Sequence, residues 1–112
     1  MKLAKNQLNN LVKLNQQGEN DKSKLVNMFA GPANVWGPEK EVHSVLSTNA
    51  HCKLTVFENN TNGNIRIQIK HSPDINNASW QEYSEGNNIS AQVVRCRLTS
   101  TSTGGAVIIK VE

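Results

Sequence analysis

His43, His51, Cys52, His71 and Cys96 are the side chains of this sequence best suited to bind a metal or to act as base and nucleophile. Their spacing argues against both roles. A structural zinc site draws its ligands from close pairs such as CxxC or HxxxH, and neither spacing occurs. His51 and Cys52 are adjacent, so on a strand they point to opposite faces. A nucleophile must sit against an oriented base. No GxSxG stretch and no Cys-His-Asn/Asp signature supplies one. Asp74, Glu82 and Glu85 are the carboxylates a glycoside hydrolase would pair, but surface carboxylates of this kind are far commoner than catalytic pairs. Phosphate-cradling loops of the GxxxxGK[ST] or GxGxxG type are missing. The reading is a non-enzymatic chain without cofactor or metal; Cys52 and Cys96 both fall on inward faces, with buried free thiols favoured and a disulfide the alternative if their strands are neighbours or face each other across the core.

The elements that would position these residues change character near residue 41. In "KLAKNQLNNLVKLNQQ", Ala4, Leu8, Leu11 and Val12 recur at helical spacing, with Leu3 and Leu14 beside them. An amphipathic helix is expected over about residues 2–16, ended near Gly18. Such a helix needs a surface to pack on. "KLVNMFAGPANVWGPEK" holds Gly31-Pro32 and Gly37-Pro38 around Val35 and Trp36, which reads as an extended arm. Leu3, Leu8, Leu11, Val35 and Trp36 are therefore the interface candidates of residues 1–40, although Trp36 could also cap the chain's own core.

After Glu41 the period is that of strands. "HCKLTVFE" sets Cys52, Leu54 and Val56 against Lys53, Thr55 and Phe57. "IRIQIKH" sets Ile65, Ile67 and Ile69 against Arg66, Gln68 and Lys70. "AQVVRCRLTS" turns Val94, Cys96 and Leu98 inward and Arg95 and Arg97 outward, and "AVIIKVE" adds Val107, Ile109 and Val111. These inward residues, with Trp80 closing one end, are the candidate core. Asn62-Gly63 is a pair suited to positive φ in a turn. Short strands separated by turn signals predict a mainly β protein: an antiparallel β-sandwich or jelly roll over 41–112, preceded by the helix and arm of 1–40. Arg66, Lys70, Arg95 and Arg97 would form a stripe on one outer face, suited to an acidic protein surface or simply wet.

Composition narrows the function classes. The 112 residues suit one domain, and the hydrophobic fraction of 37% is low, with Asn, Gln, Ser and Thr in its place. The formal charge is +3, and the basic excess lies in Lys2, Lys5, Lys13, Lys22 and Lys24. A solvated helix face is the favoured account, and a mildly basic arm against nucleic acid or an acidic protein surface is the alternative. No Lys/Arg cluster is dense enough for DNA binding through counterion release, and aromatic residues, at 4%, are too few for a base-stacking platform. No apolar run reaches the roughly 18 residues of a bilayer span. Polar Asn6, Gln7, Asn9 and Asn10 interrupt any signal-peptide core. The expectation is a chain made in a cytoplasm.

"IRIQIKHSPD" with "SWQEY", followed by "VVRCRLTSTSTGGAVIIKV", resembles small β-sandwich virion proteins of tailed bacteriophages. The matching positions are Ser72, Asp74, Trp80, Arg95, Arg97, Leu98, Thr99, Ser100, Gly104 and Gly105, within roughly residues 50–112. The resemblance implies a structural protein of the virion. The leading expectation is a capsid cement or decoration protein that binds the major capsid protein and acts as a homo-oligomer. A neck, tail or fibre component is the alternative within that class. A carbohydrate- or receptor-binding jelly-roll module is the alternative outside it, with Trp80 and Tyr83 beside the loops "SPDINNAS" and "EGNNIS" as its contact residues.

Overall fold

The structure, a computed structural model, describes residues 23–112. The helix expected over 2–16, with Leu3, Leu8 and Leu11, lies outside the described residues. Those described form eight strands: β1 (Lys24–Ala30), β2 (Lys40–Ser44), β3 (Cys52–Asn59), β4 (Ile65–His71), β5 (Gln81–Tyr83), β6 (Asn88–Ile89), β7 (Val93–Ser100) and β8 (Gly105–Val111). They build two four-stranded antiparallel sheets, in the orders β1-β8-β3-β6 and β2-β7-β4-β5. The all-β architecture with two antiparallel sheets is the one read from the alternation.

Period-two alternation does what strand geometry requires of it. In β4, Ile67 and Ile69 are buried while Arg66 is exposed, and in β7, Val94, Cys96 and Leu98 are buried between half-buried Arg95 and Arg97. With Leu54, Val107, Ile109 and Val111 these residues form one apolar core contributed by both sheets, and Val56 and Ile65 pack against it partly buried. Val26, Met28, Ala30, Val42, Ile89 and Ala91 complete it.

Three readings are corrected. Residues 24–30, expected as part of an arm, form β1, which pairs along its whole length with β8, from Lys24 opposite Val111 to Ala30 opposite Gly105. The β-body therefore takes in the chain from Lys24, not from residue 41. The alternation Val26, Met28, Ala30 was present, but the Gly-Pro breakers that follow masked it. Trp80 is not a core residue, as its ring lies on the outer face of the second sheet beside Arg97 and Lys70. Asn62-Gly63 does not form a positive-φ turn, since among the described residues positive φ occurs at Asn34 and Gly86. The stretch links β3 in one sheet to β4 in the other, so no two-residue hairpin is formed. Gly63 is there for space: a Cβ would come within 2.6 Å of the Thr101 Oγ1.

Candidate aromatic–cationic contact face

The outer face of the β2-β7-β4-β5 sheet gathers the residues of interest. Antiparallel register sets Lys70 opposite Arg95, Gln68 opposite Arg97 and Arg66 opposite Thr99. Three of the four predicted cations thus share a neighbourhood on β4 and β7, and Arg95 extends it toward β2, where it meets Glu39 at 3.4 Å.

Two loops bring an indole to this face. The first, between β1 and β2, is pinned to the end of β7 by backbone bonds. Gly31 N and Gly37 N both donate to the Leu98 carbonyl, at 3.2 and 2.8 Å, and Ser100 N donates to the Gly31 carbonyl at 2.8 Å. Thr99 Oγ1 adds a bond to the Pro32 carbonyl at 2.8 Å. Both glycines are required by close approach: a Cβ on Gly31 would overlap the Val35 carbonyl, and one on Gly37 the Phe29 carbonyl. The loop so closed carries Trp36 over the sheet and leaves Val35 at its exposed tip. The second loop, between β4 and β5, makes one tight turn, with Asn77 N and Ala78 N donating to the Asp74 carbonyl at 2.9 and 2.7 Å. It delivers Trp80 just before β5.

The side chains then lock one another. The Arg97 guanidinium lies 5.0 Å from the Trp36 ring centroid and 4.4 Å from that of Trp80, so one cation bridges both indoles. Its Nε and Nη2 donate to Gln68 Oε1 at 2.9 and 2.6 Å. Gln68 Nε2 donates to Glu82 Oε1 at 2.9 Å, and the same oxygen takes Arg66 Nη2 at 2.7 Å. Arg66 in turn stands 5.4 Å from the Trp36 ring, which closes a circuit through five side chains. Lys70 covers Trp80 at 4.9 Å. Four cations (Arg66, Lys70, Arg95 and Arg97) meet two carboxylates here, Glu39 and Glu82. The face is electropositive, and its side chains are fixed by one another.

The residues singled out for catalysis do not converge. Glu82 belongs to the circuit above, Glu85 accepts the Val56 N–H at 2.6 Å, and Asp74 lies in the β4–β5 turn. Tyr83 accepts the Leu54 N–H at 2.9 Å. Cys52 and Cys96 are free and buried, and burial pushes their thiols up to about 11 and about 12, which suppresses the reactive thiolate. His43 is buried, His51 exposed and His71 half-buried. Among the described residues no group of three or more His, Cys, Asp or Glu gathers to hold a metal, and no helix is long and apolar enough to cross a membrane.

Sequence reasoning found the four cations and Trp36 but not their organisation. Gln68 and Glu82 had no signal as network members, because their partners come from other strands. Phe29, 55% exposed, was missed as a surface feature, and its alternation with buried Met28 and Ala30 would have marked it as outward-facing; Phe57, set opposite the inward residues of its strand, is 51% exposed. Compared with protein-family models, with curated proteins and with solved structures, the chain finds no match.

Proposed function

We propose that the chain is a non-enzymatic contact protein of a phage virion, a jelly-roll β-sandwich that binds an acidic surface of a shell or tail protein through its Trp/Arg face. The strand orders β1-β8-β3-β6 and β2-β7-β4-β5 support the jelly-roll reading. Successive strands alternate between sheets except at β4–β5, as two nested Greek keys require. The observation that carries the contact role is Arg97 held between Trp36 and Trp80 and fixed by Gln68. Trp and Arg dominate the energetics of protein interfaces, and side chains already locked lose little entropy on binding. Within the virion, cementing of the capsid is the favoured role, because the locked side chains lie across the broad face of a sheet. The sugar-binding alternative has less support: Trp80 is occupied by Arg97 and Lys70, and the Tyr83 hydroxyl is engaged by backbone groups.

Mass spectrometry of purified particles from cells that encode the chain tests the reading. The protein is expected in the particles, with lower occupancy for Trp80→Ala and Arg97→Glu variants that remain folded. Particles devoid of the wild-type chain overturn the virion assignment. Undiminished occupancy of both variants overturns the assignment of the face.

A further inference from the structure

At one end of the two sheets, the start of β1 and the end of β8 lie beside the end of β2 and the β2–β3 connection, and a cavity of about 490 Å³ opens between them. Buried His43 and Val111 line it together with exposed Lys24, Ser44, Ser47 and His51. A volume of this size suits a small ligand. His43 is there because of a bulge. The β2–β7 register shifts between Glu41 and His43, so Val42 is an extra residue and both side chains turn inward.

His43 is 9% exposed, and its Nε2 has no hydrogen-bond partner among the described residues. The bond with the Ala91 backbone therefore falls to Nδ1. That bond favours the protonated ring, so Nδ1 is its donor. An uncharged imidazole has one donor nitrogen and one acceptor, which leaves a buried lone pair on Nε2. A buried acceptor without a donor costs its full desolvation. Positive charge stands around it. Lys24 and His51 both act on His43 as cations, and His51 Nδ1 meets the Asn49 carbonyl at 3.1 Å, so its Nε2 is the nitrogen available to a ligand. Glu112 also lines the cavity, but its carboxylate stands 3.8 Å from Lys110 Nζ.

We propose that this cavity binds hydrogen phosphate, an oxyanion that brings its own proton. Its O–H donates to His43 Nε2, and its charged oxygens accept from Lys24 and His51. A plain hydroxyl would leave the two cations unanswered. A carboxylate or sulfate near neutral pH only accepts, and sets its lone pairs against that of Nε2. Hydrogen phosphate meets both demands. A phosphomonoester does so only below its second pKa of about 6.

NMR of the histidine rings in the full chain, titrated with inorganic phosphate, sulfate or glycerol 3-phosphate against a chloride background, tests this. Phosphate at pH 7 is expected to shift the His43 signals to saturation, with sulfate about tenfold weaker for want of one charge-assisted hydrogen bond. Sulfate should gain as pH falls toward 5, because His43 then takes its proton from water. Lys24→Ala should weaken phosphate, again about tenfold. His43→Gln offers an amide that either donates or accepts, so it should hold the two anions alike. Glycerol 3-phosphate bound more tightly than phosphate near pH 6 makes the ligand a phosphomonoester, and weaker binding makes it the free ion; both uphold the site. No saturable shift of His43 overturns the site. Equal affinity of the wild-type chain for phosphate and sulfate at pH 7 overturns the part given to the ligand's proton. Neither Trp36 nor Trp80 takes part in the readout, so its outcome is separate from that of the contact face.

Discussion

Arg97 shows how one side chain organises a surface. Its guanidinium touches two indoles and gives two hydrogen bonds to Gln68. A planar fork does both at once, which an ammonium cannot. Arg97→Ala is expected to cost about 1–2 kcal/mol, from cation–π contacts and charge-assisted hydrogen bonds that are each modest at a half-exposed site. Arg97→Lys should fall between the two. Urea unfolding followed by tryptophan fluorescence measures the loss, and equal stability of all three proteins would remove the circuit as a stabilising device. His43 gives a second prediction at this scale. Burial lowers its pKa from the ordinary 6.5, a hydrogen bond with the Ala91 backbone opposes that, and Lys24 and His51 lower it further. Its Nε2 is buried with no hydrogen-bond partner. The unfolded chain thus takes up a proton at a pH where folded His43 stays neutral. This contribution to stability is intact above about pH 6.5 and is lost as pH falls, until His43 protonates in the folded state. The thermal midpoint should drop from about pH 7 to about pH 5, and His43→Gln should flatten that drop relative to wild type.

The β1–β2 connection is the element on which the contact face depends. It leaves one sheet and lies against β7 of the other, held by Gly31, Gly37 and the Leu98 and Gly31 carbonyls. Because backbone meets backbone at both glycines, neighbours cannot yield by changing a rotamer. Gly31→Ala and Gly37→Ala should each destabilise by about 1–3 kcal/mol, the usual cost of overpacking, and should displace Trp36. Near-ultraviolet circular dichroism would read the displacement. A variant with native stability and an unchanged tryptophan signal would contradict the close approach. The β5–β6 connection works differently. Beyond the short β6, the edge of β3 is covered by Tyr83 and Glu85, which take the Leu54 and Val56 N–H groups, and by Gly86, which donates to the Leu54 carbonyl. Side chains here replace a strand and blunt an edge that would otherwise pair with other chains.

At the scale of the whole molecule, two outer faces carry different chemistry. One is electropositive and locked; the other sets Phe29, Ile108 and Phe57 among Asn27, Thr55 and Lys110. The strands that hold the faces apart pair across long stretches of chain, β1 with β8 and β2 with β7. Long-range pairing must close large loops before contacts repay the entropy. Refolding from denaturant is therefore expected over milliseconds to seconds, and stopped-flow tryptophan fluorescence would check it. Microsecond refolding would be incompatible with this topology.

Local chemistry in the sequence determined which side chains face inward. Leu54, Ile67, Ile69, Val94, Cys96, Leu98, Val107, Ile109 and Val111 are buried as their alternation requires, because the side-chain period of a strand is a property of its own backbone. The same alternation put Arg66, Lys70, Arg95 and Arg97 outward. Tertiary structure alone decided which strands pair, since β3 and β4, or β7 and β8, are neighbours in sequence but lie in different sheets. It also paired 24–30, whose own alternation is that of a strand, with β8, and moved Trp80 from the core to the outer face, where it meets Arg97 and Lys70. Partners such as Arg97 and Trp36 meet only after chain crossings whose energy comes from distant contacts, and no local pattern encodes those.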